Sequence, residues 1–135
     1  MPGVPFINAI SRALHKRHRE RDLAAAASWP IVEAHTLKPA IVAKDELAEG
    51  TAAQDSQLEI PFYFTLPETT PNQPSGYFGG HLRTVALSHS EASRLIPRIP
   101  EGTLIRVRYN PQNPDQSHTL APDNEGLIPV AVWPS

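Results

Sequence analysis

"QLEIPFYFTL", residues 57–66, decides the fold. Leu58, Ile60, Phe62, Phe64 and Leu66 alternate without a break against Gln57, Glu59, Pro61, Tyr63 and Thr65. A period of two is that of a strand with one face in a core and the other in water. Pro61 has no N–H to give to a ladder, which predicts an edge or a bulge at that point.

The segments that follow read in the same way. "PETTPNQPSG" (67–76) is turn chemistry. "YFGGHLRTVAL" (77–87) is a strand, and Gly79 and Gly80 predict a bulge or sharp coil in it. Ser88 and Glu91 have the capping-box spacing, so "SHSEASRLI" starts a short helix that Pro97 and Pro100 end. "TLIRVRY" (103–109) alternates again, with Leu104, Arg106 and Arg108 on one face and Ile105, Val107 and Tyr109 on the other.

Next, "VRYNPQNPDQSHTL" (107–120) reverses the chain through two successive turn signals. Asn110 and Pro111 open the first, Asn113, Pro114 and Asp115 repeat the device, and "SHTL" (117–120) is the return strand. "LIPVAVW" (127–133) supplies a last edge strand. On the N-terminal side, "WPIVEAHTLKPAIV" (29–42) reads as one strand and "AKDELAEGTAAQDS" (43–56) as a loop.

Residues 5–28 read as a helix. Phe6, Ile7, Ile10 and Leu14 share one face, a basic stretch with Arg17 and Arg21 follows, and Pro30 ends it. The expected organisation is a basic amphipathic helix over 1–28 and a single β-rich domain over 29–135. The fold class is α+β, mainly β. We expect a small antiparallel β barrel or sandwich of five to six strands, in OB-like element order, with a short inserted helix.

Composition narrows the function. The chain of 135 residues suits one core. With no cysteine it has no disulfide, thiolate nucleophile or cysteine-based metal site. No apolar run reaches the roughly 18 residues a spanning helix needs, and "SRALHKRHRERD" interrupts any signal-peptide core. The expected location is cytoplasmic, at most peripheral to the inner membrane face. Net charge is −2, but residues 1–30 carry five basic side chains against two acidic ones, so the body is acidic.

Specific chemistry is sparse. His35, His81 and His118 lie on three expected strands, and their convergence is the arrangement that would support a metal or catalytic site. No spacing motif supports one, so no metal ligand, cofactor or catalytic residue is assigned. There is no nucleophile elbow and no phosphate-binding glycine loop. The P-x-x-P matches at 71–74 and 111–114 read as turns.

The expected function is a non-enzymatic interaction module. Its partner is a protein or a second copy, with peripheral membrane contact open through the N-terminal helix. The expected surface comprises Phe6, Ile7, Ile10, Leu14, Arg17 and Arg21 on that helix, and Tyr63, Tyr77, Arg106 and Arg108 on the strands. Two alternatives stay open. One is a small hydrolase without a recognisable motif. The other is an OB-like nucleic-acid binder using Tyr63, Tyr77, His81, Arg83, Arg106 and Arg108.

Four stretches also carry a resemblance: "WPIVEAH", "IPFYFTL", "GYFGGHLR" and "IPEGTLIRVRYNPQNPDQSHTL". Over about residues 29–121 they resemble a bacterial family, domain-of-unknown-function family 3592. The matching positions are Trp29, Pro30 and Val32, then Pro100, Gly102, Ile105, Val107, Tyr109, Pro111 and Pro114. The resemblance implies a compact β domain and no activity. Many members of that family sit beside transmembrane helices, whereas this chain has only the basic amphipathic stretch.

Overall fold

The computed structural model of the chain describes residues 21, 23–68 and 75–134. It contains β1 (Ile31–Thr36), β2 (Ala40–Ala43), β3 (Ser56–Leu66), β4 (Gly76–Thr84), helix α1 (His89–Leu95), β5 (Leu104–Asn110), β6 (Asn113–His118) and β7 (Val132–Trp133). Short 3-10 turns cover Ile96–Arg98 and Ala121–Asn124. All seven strands belong to one antiparallel sheet of order β6-β5-β1-β3-β4-β7, with β2 also paired to β3.

β3 is the centre of this sheet because its alternation suits it to a buried face. Leu58, Ile60, Phe62 and Phe64 are buried, while Tyr63 and Thr65 are exposed. Phe64 meets the rings of Phe62, Phe78 and Tyr109 at centroid distances of 6.5, 5.8 and 5.7 Å. Ala34, Leu82, Ile105 and Val107 extend the same core. α1 closes one end of it through buried Ala92, with Leu95, Ile96 and Ile99 packed alongside. Its capping box is present, since Glu91 N donates to Ser88 Oγ at 3.2 Å and Ser88 N donates to the Glu91 carboxylate at 3.4 Å.

The expected barrel or sandwich of five to six strands is corrected to one open, seven-stranded sheet. Part of the extra count comes from the first strand, which splits into β1 and β2 at residues 37–39. Both halves run along the same edge of β3, β1 at Phe62 and Tyr63, β2 at Ser56 to Glu59. The interruption faces Pro61, whose carbonyl accepts from Leu37 N at 2.8 Å. A residue's N–H and C=O point to the same side of a strand. The missing donor of Pro61 therefore falls at the bulge, where no ladder bond is lost.

The sheet curls without closing. β4 and β6 are far apart in strand order, yet a Cβ on Gly80 would lie 3.0 Å from Ser117 Oγ and 2.7 Å from Phe62 Cζ. Gly80 is thus where two strands and a core ring approach too closely for a side chain. Among the described residues no hydrogen-bond ladder joins β4 to β6, so the seam stays open.

Two further boundaries differ from expectation. The β5–β6 connection needs only Pro111 and Gln112, because Asn110 pairs with Asn113. Asn113, Pro114 and Asp115 belong to β6 and are not a second turn. The ladder shifts register after Tyr109, so Pro114 occupies an irregular stretch where its missing N–H costs no bond. Asn110 Oδ1 accepts from Gln112 N at 3.0 Å, which locks the turn locally. At the N-terminus, residues 23–26 are helical, and Trp29 N closes the turn on Ala26 O at 3.0 Å. The rest of the helix expected over 5–28, including Phe6, Ile7, Ile10, Leu14 and Arg17, lies outside the described residues.

Candidate functional site

Alternation along β1, β3 and β4 turns a second set of side chains to the outer face of the sheet. Register then assembles them: His35 sits opposite Tyr63, and Tyr63 opposite Gly79, beside Tyr77. The rings of His35 and Tyr63 stack at 5.4 Å, and Tyr63 and Tyr77 are tilted at 6.5 Å. Tyr77 is 80% exposed and Tyr63 37% exposed. Leu104 lies opposite His35 on β5, and both Leu104 and Leu37 are exposed. Four strands thus contribute one aromatic and aliphatic row that faces solvent. Because Gly79 has no side chain, it leaves a notch in the row next to Tyr63.

An ion pair lies on this face. Glu59 lies opposite Arg83 and accepts from its Nη2 and Nε at 3.2 and 3.3 Å. Glu33 lies opposite Arg106. Arg21 and Arg106 are exposed.

Arg108 departs from the expected surface role. Its Nε and Nη2 donate to the two oxygens of Asp123 at 2.8 and 3.0 Å. Its Nη1 donates to the carbonyls of Ala27 and Trp29 at 2.6 and 3.4 Å. The side chain is therefore a clamp. It joins the end of the N-terminal helical segment, β5 and the 3-10 turn at Ala121–Asn124. Hydrogen bonds from Arg108 hold the Asp123 carboxyl below its usual range, against the opposing effect of burial. The hydrogen bond to Asp123 likewise raises Arg108.

This clamp has a pH signature. Because the native carboxyl titrates low, the pair's stabilisation is whole above the unfolded carboxyl's pKa of about 3.9. It is lost as pH falls through the lower native value. Asp123→Asn should reduce the unfolding free energy at neutral pH by about 1–3 kcal/mol. It should also flatten the loss of stability on acidification. Urea unfolding of the parent and the variant across the acid range measures both effects.

The three histidines do not converge. His81 and His118 line one cleft of about 270 Å³, together with Asp45, Glu59, Arg83 and Trp133. His35 is not among its lining residues; it stacks on Tyr63, and His118 stacks on Trp29 at 5.8 Å. His81 Nδ1 stands 3.9 Å from Glu59 Oε1, beyond hydrogen-bond range. Glu59 is meanwhile held by Arg83, so it is not aligned as an acid–base partner of His81. Among the described residues no group of three metal-ligating side chains converges. No described helix is long and apolar enough to cross a membrane.

The sequence reading names Tyr63 and Tyr77 as surface residues but not their neighbours in the row. His35 and Leu104 become part of the row only through strand pairing. It also leaves out Asn124, a buried side chain that takes the place of a neighbouring strand for β5. Asn124 Oδ1 accepts from Arg106 N at 2.8 Å, and Nδ2 donates to the carbonyls of Arg106 and Leu120 at 2.9 and 3.0 Å.

A family model described as Domain of unknown function (DUF3592) matches residues 76–124. That stretch is similar to this family. The match runs from β4 through α1, β5 and β6 to the 3-10 turn, and so includes Tyr77, Arg108 and both Asp123 and Asn124. It begins later than the resemblance drawn from the sequence, leaving out residues 29–75, and it ends at the clamp. DUF3592 is a family without an assigned activity and assigns none to these residues. No curated protein and no solved structure matches the chain.

Proposed function

We propose that the chain is a non-enzymatic interaction module and that the outer sheet face is its contact surface. One observation carries the reading: the row of Leu104, His35, Tyr63 and Tyr77 exposes aromatic and aliphatic area across four strands. Contiguous apolar surface of this kind favours a partner, and tyrosine is among the residue types enriched where partners are anchored. The ion pair between Glu59 and Arg83 on this face favours a protein partner, or a second copy, over a polyanion. Attachment through residues 5–28 to a partner or to the inner membrane face, in a cytoplasmic setting, belongs to the same proposal.

A double variant, Tyr63→Ser with Tyr77→Ser, tests it. Both rings are on the wet face, so the unfolding free energy should change by no more than about 1 kcal/mol. A protein retained by the full chain from a lysate of its own organism should be lost by the variant, with affinity down about thirtyfold or more. Retention of the same protein by the variant would defeat the reading. A labelled single-stranded oligonucleotide serves as the contrast: tight, steeply salt-dependent binding would favour the nucleic-acid alternative.

A further inference from the structure

A second surface lies away from the aromatic row. α1, the 3-10 turn after it and the segment before β7 border an open groove of about 610 Å³. Leu87, Leu95, Pro129 and Val130 give it an apolar lining. Arg94 and Arg98 stand on its rim, one helical turn apart and both exposed. Arg94 Nε donates to the Ser90 carbonyl at 3.3 Å, and neither arginine is in an ion pair among the described residues. The carboxylate that lines the groove, Glu91, is engaged by the capping box of α1. The body of the chain is acidic, yet this groove carries two unpaired cations beside apolar surface.

We infer that this groove docks a peptide segment of a partner protein in which acidic residues flank an apolar one. The apolar side chain is buried against Leu95 and Val130, while its carboxylates meet Arg94 and Arg98. Guanidinium groups suit carboxylates because their planar donors match two oxygens. The groove is open along its length, which suits a peptide that keeps one side in water. A fatty acyl chain would need walls on all sides, since small-ligand sites bury most of their ligand.

The probe is a short fluorescein-labelled peptide of leucine and glutamate, with a leucine and lysine peptide of the same length as its control. Fluorescence anisotropy of the full chain should favour the glutamate peptide, and added salt should weaken its binding. Arg94→Glu with Arg98→Glu should invert the preference, because both substitutions lie on the rim. Its unfolding midpoint should match the parent's, which separates lost docking from lost folding. Amide shifts on titration should centre on residues 87–98 and 129–131. Equal binding of the two peptides, an unchanged preference in the variant, or shifts centred on the Tyr63–Tyr77 face would each overturn the inference. So would a concentration-dependent dimer abolished by the same double variant, which would make a second copy the occupant. Failure at this groove leaves the outer-face proposal standing, since no residue is shared.

Discussion

Phe64→Ala should lower the unfolding free energy by about 3–5 kcal/mol, the largest effect expected of any single truncation in this chain. Phe64 is fully buried, and its ring is in contact with three other aromatic rings, one on its own strand, one on β4 and one on β5. Removing it takes away transfer free energy and also leaves a cavity. β3 cannot collapse into that cavity, because it is held on one edge by β4 and on the other by β1 and β2. A domain of this size has a total stability of about 5–15 kcal/mol, so the loss is a large share of the whole. Urea unfolding followed by tyrosine and tryptophan fluorescence measures it. A loss below about 1 kcal/mol would mean that β3 is not the centre of the core.

Asn124→Leu should cost about 2–4 kcal/mol, although it replaces a polar side chain by an apolar one of similar size in a buried place. The asparagine gives and accepts three hydrogen bonds there, two of them to the backbone of Arg106 on β5. Leucine would leave the Arg106 N–H and C=O without these partners in a part-buried place, each at a penalty of about 1–3 kcal/mol. Asn124→Asp separates this account from simple packing. The carboxylate can still accept from Arg106 N, but two carbonyl oxygens would face its second oxygen. It should therefore be at least as damaging as leucine at neutral pH and recover in part when acid protonates it. Thermal unfolding of both variants at neutral and mildly acidic pH distinguishes the two explanations. Equal behaviour at both pH values would contradict the assignment.

Much of the fold is legible in short windows of the sequence. The alternation at residues 57–66 places β3 and its buried face, and the same pattern places β5 with Ile105 and Val107 inside. The Ser88–Glu91 spacing gives the start of α1, and the prolines at 97 and 100 bound it. These features depend on neighbours within one or two turns or pleats, where backbone geometry relates residue types directly to conformation. The missing donor of Pro61 gave a bulge as one of its two expected outcomes, and the bulge lies on the partner strand.

The candidate surface was only half legible. Tyr63 and Tyr77 lie on wet faces by alternation alone. Their meeting with His35 and Leu104 is set by the register of β1 against β3 and β5, which no local pattern states. Arg108 illustrates the limit. Alternation puts it on the same face as Leu104 and Arg106, as if solvated, but Asp123 and the carbonyl of Ala27 take its donors. The Pro-Asp pair at 114–115 looks like a turn in isolation, yet pairing of Asn110 with Asn113 completes the reversal sooner.

Local sequence patterns are enough to specify strands around one apolar face, with a capped helix inserted. They are enough because strand and helix periods are properties of near neighbours. The open sheet, the fastening roles of Arg108 and Asn124 and the line of exposed rings emerge at the level of the whole fold. Those outcomes depend on which strands pair and in what register. That choice is made by long-range contacts between residues far apart in the chain, such as Ala27 and Arg108.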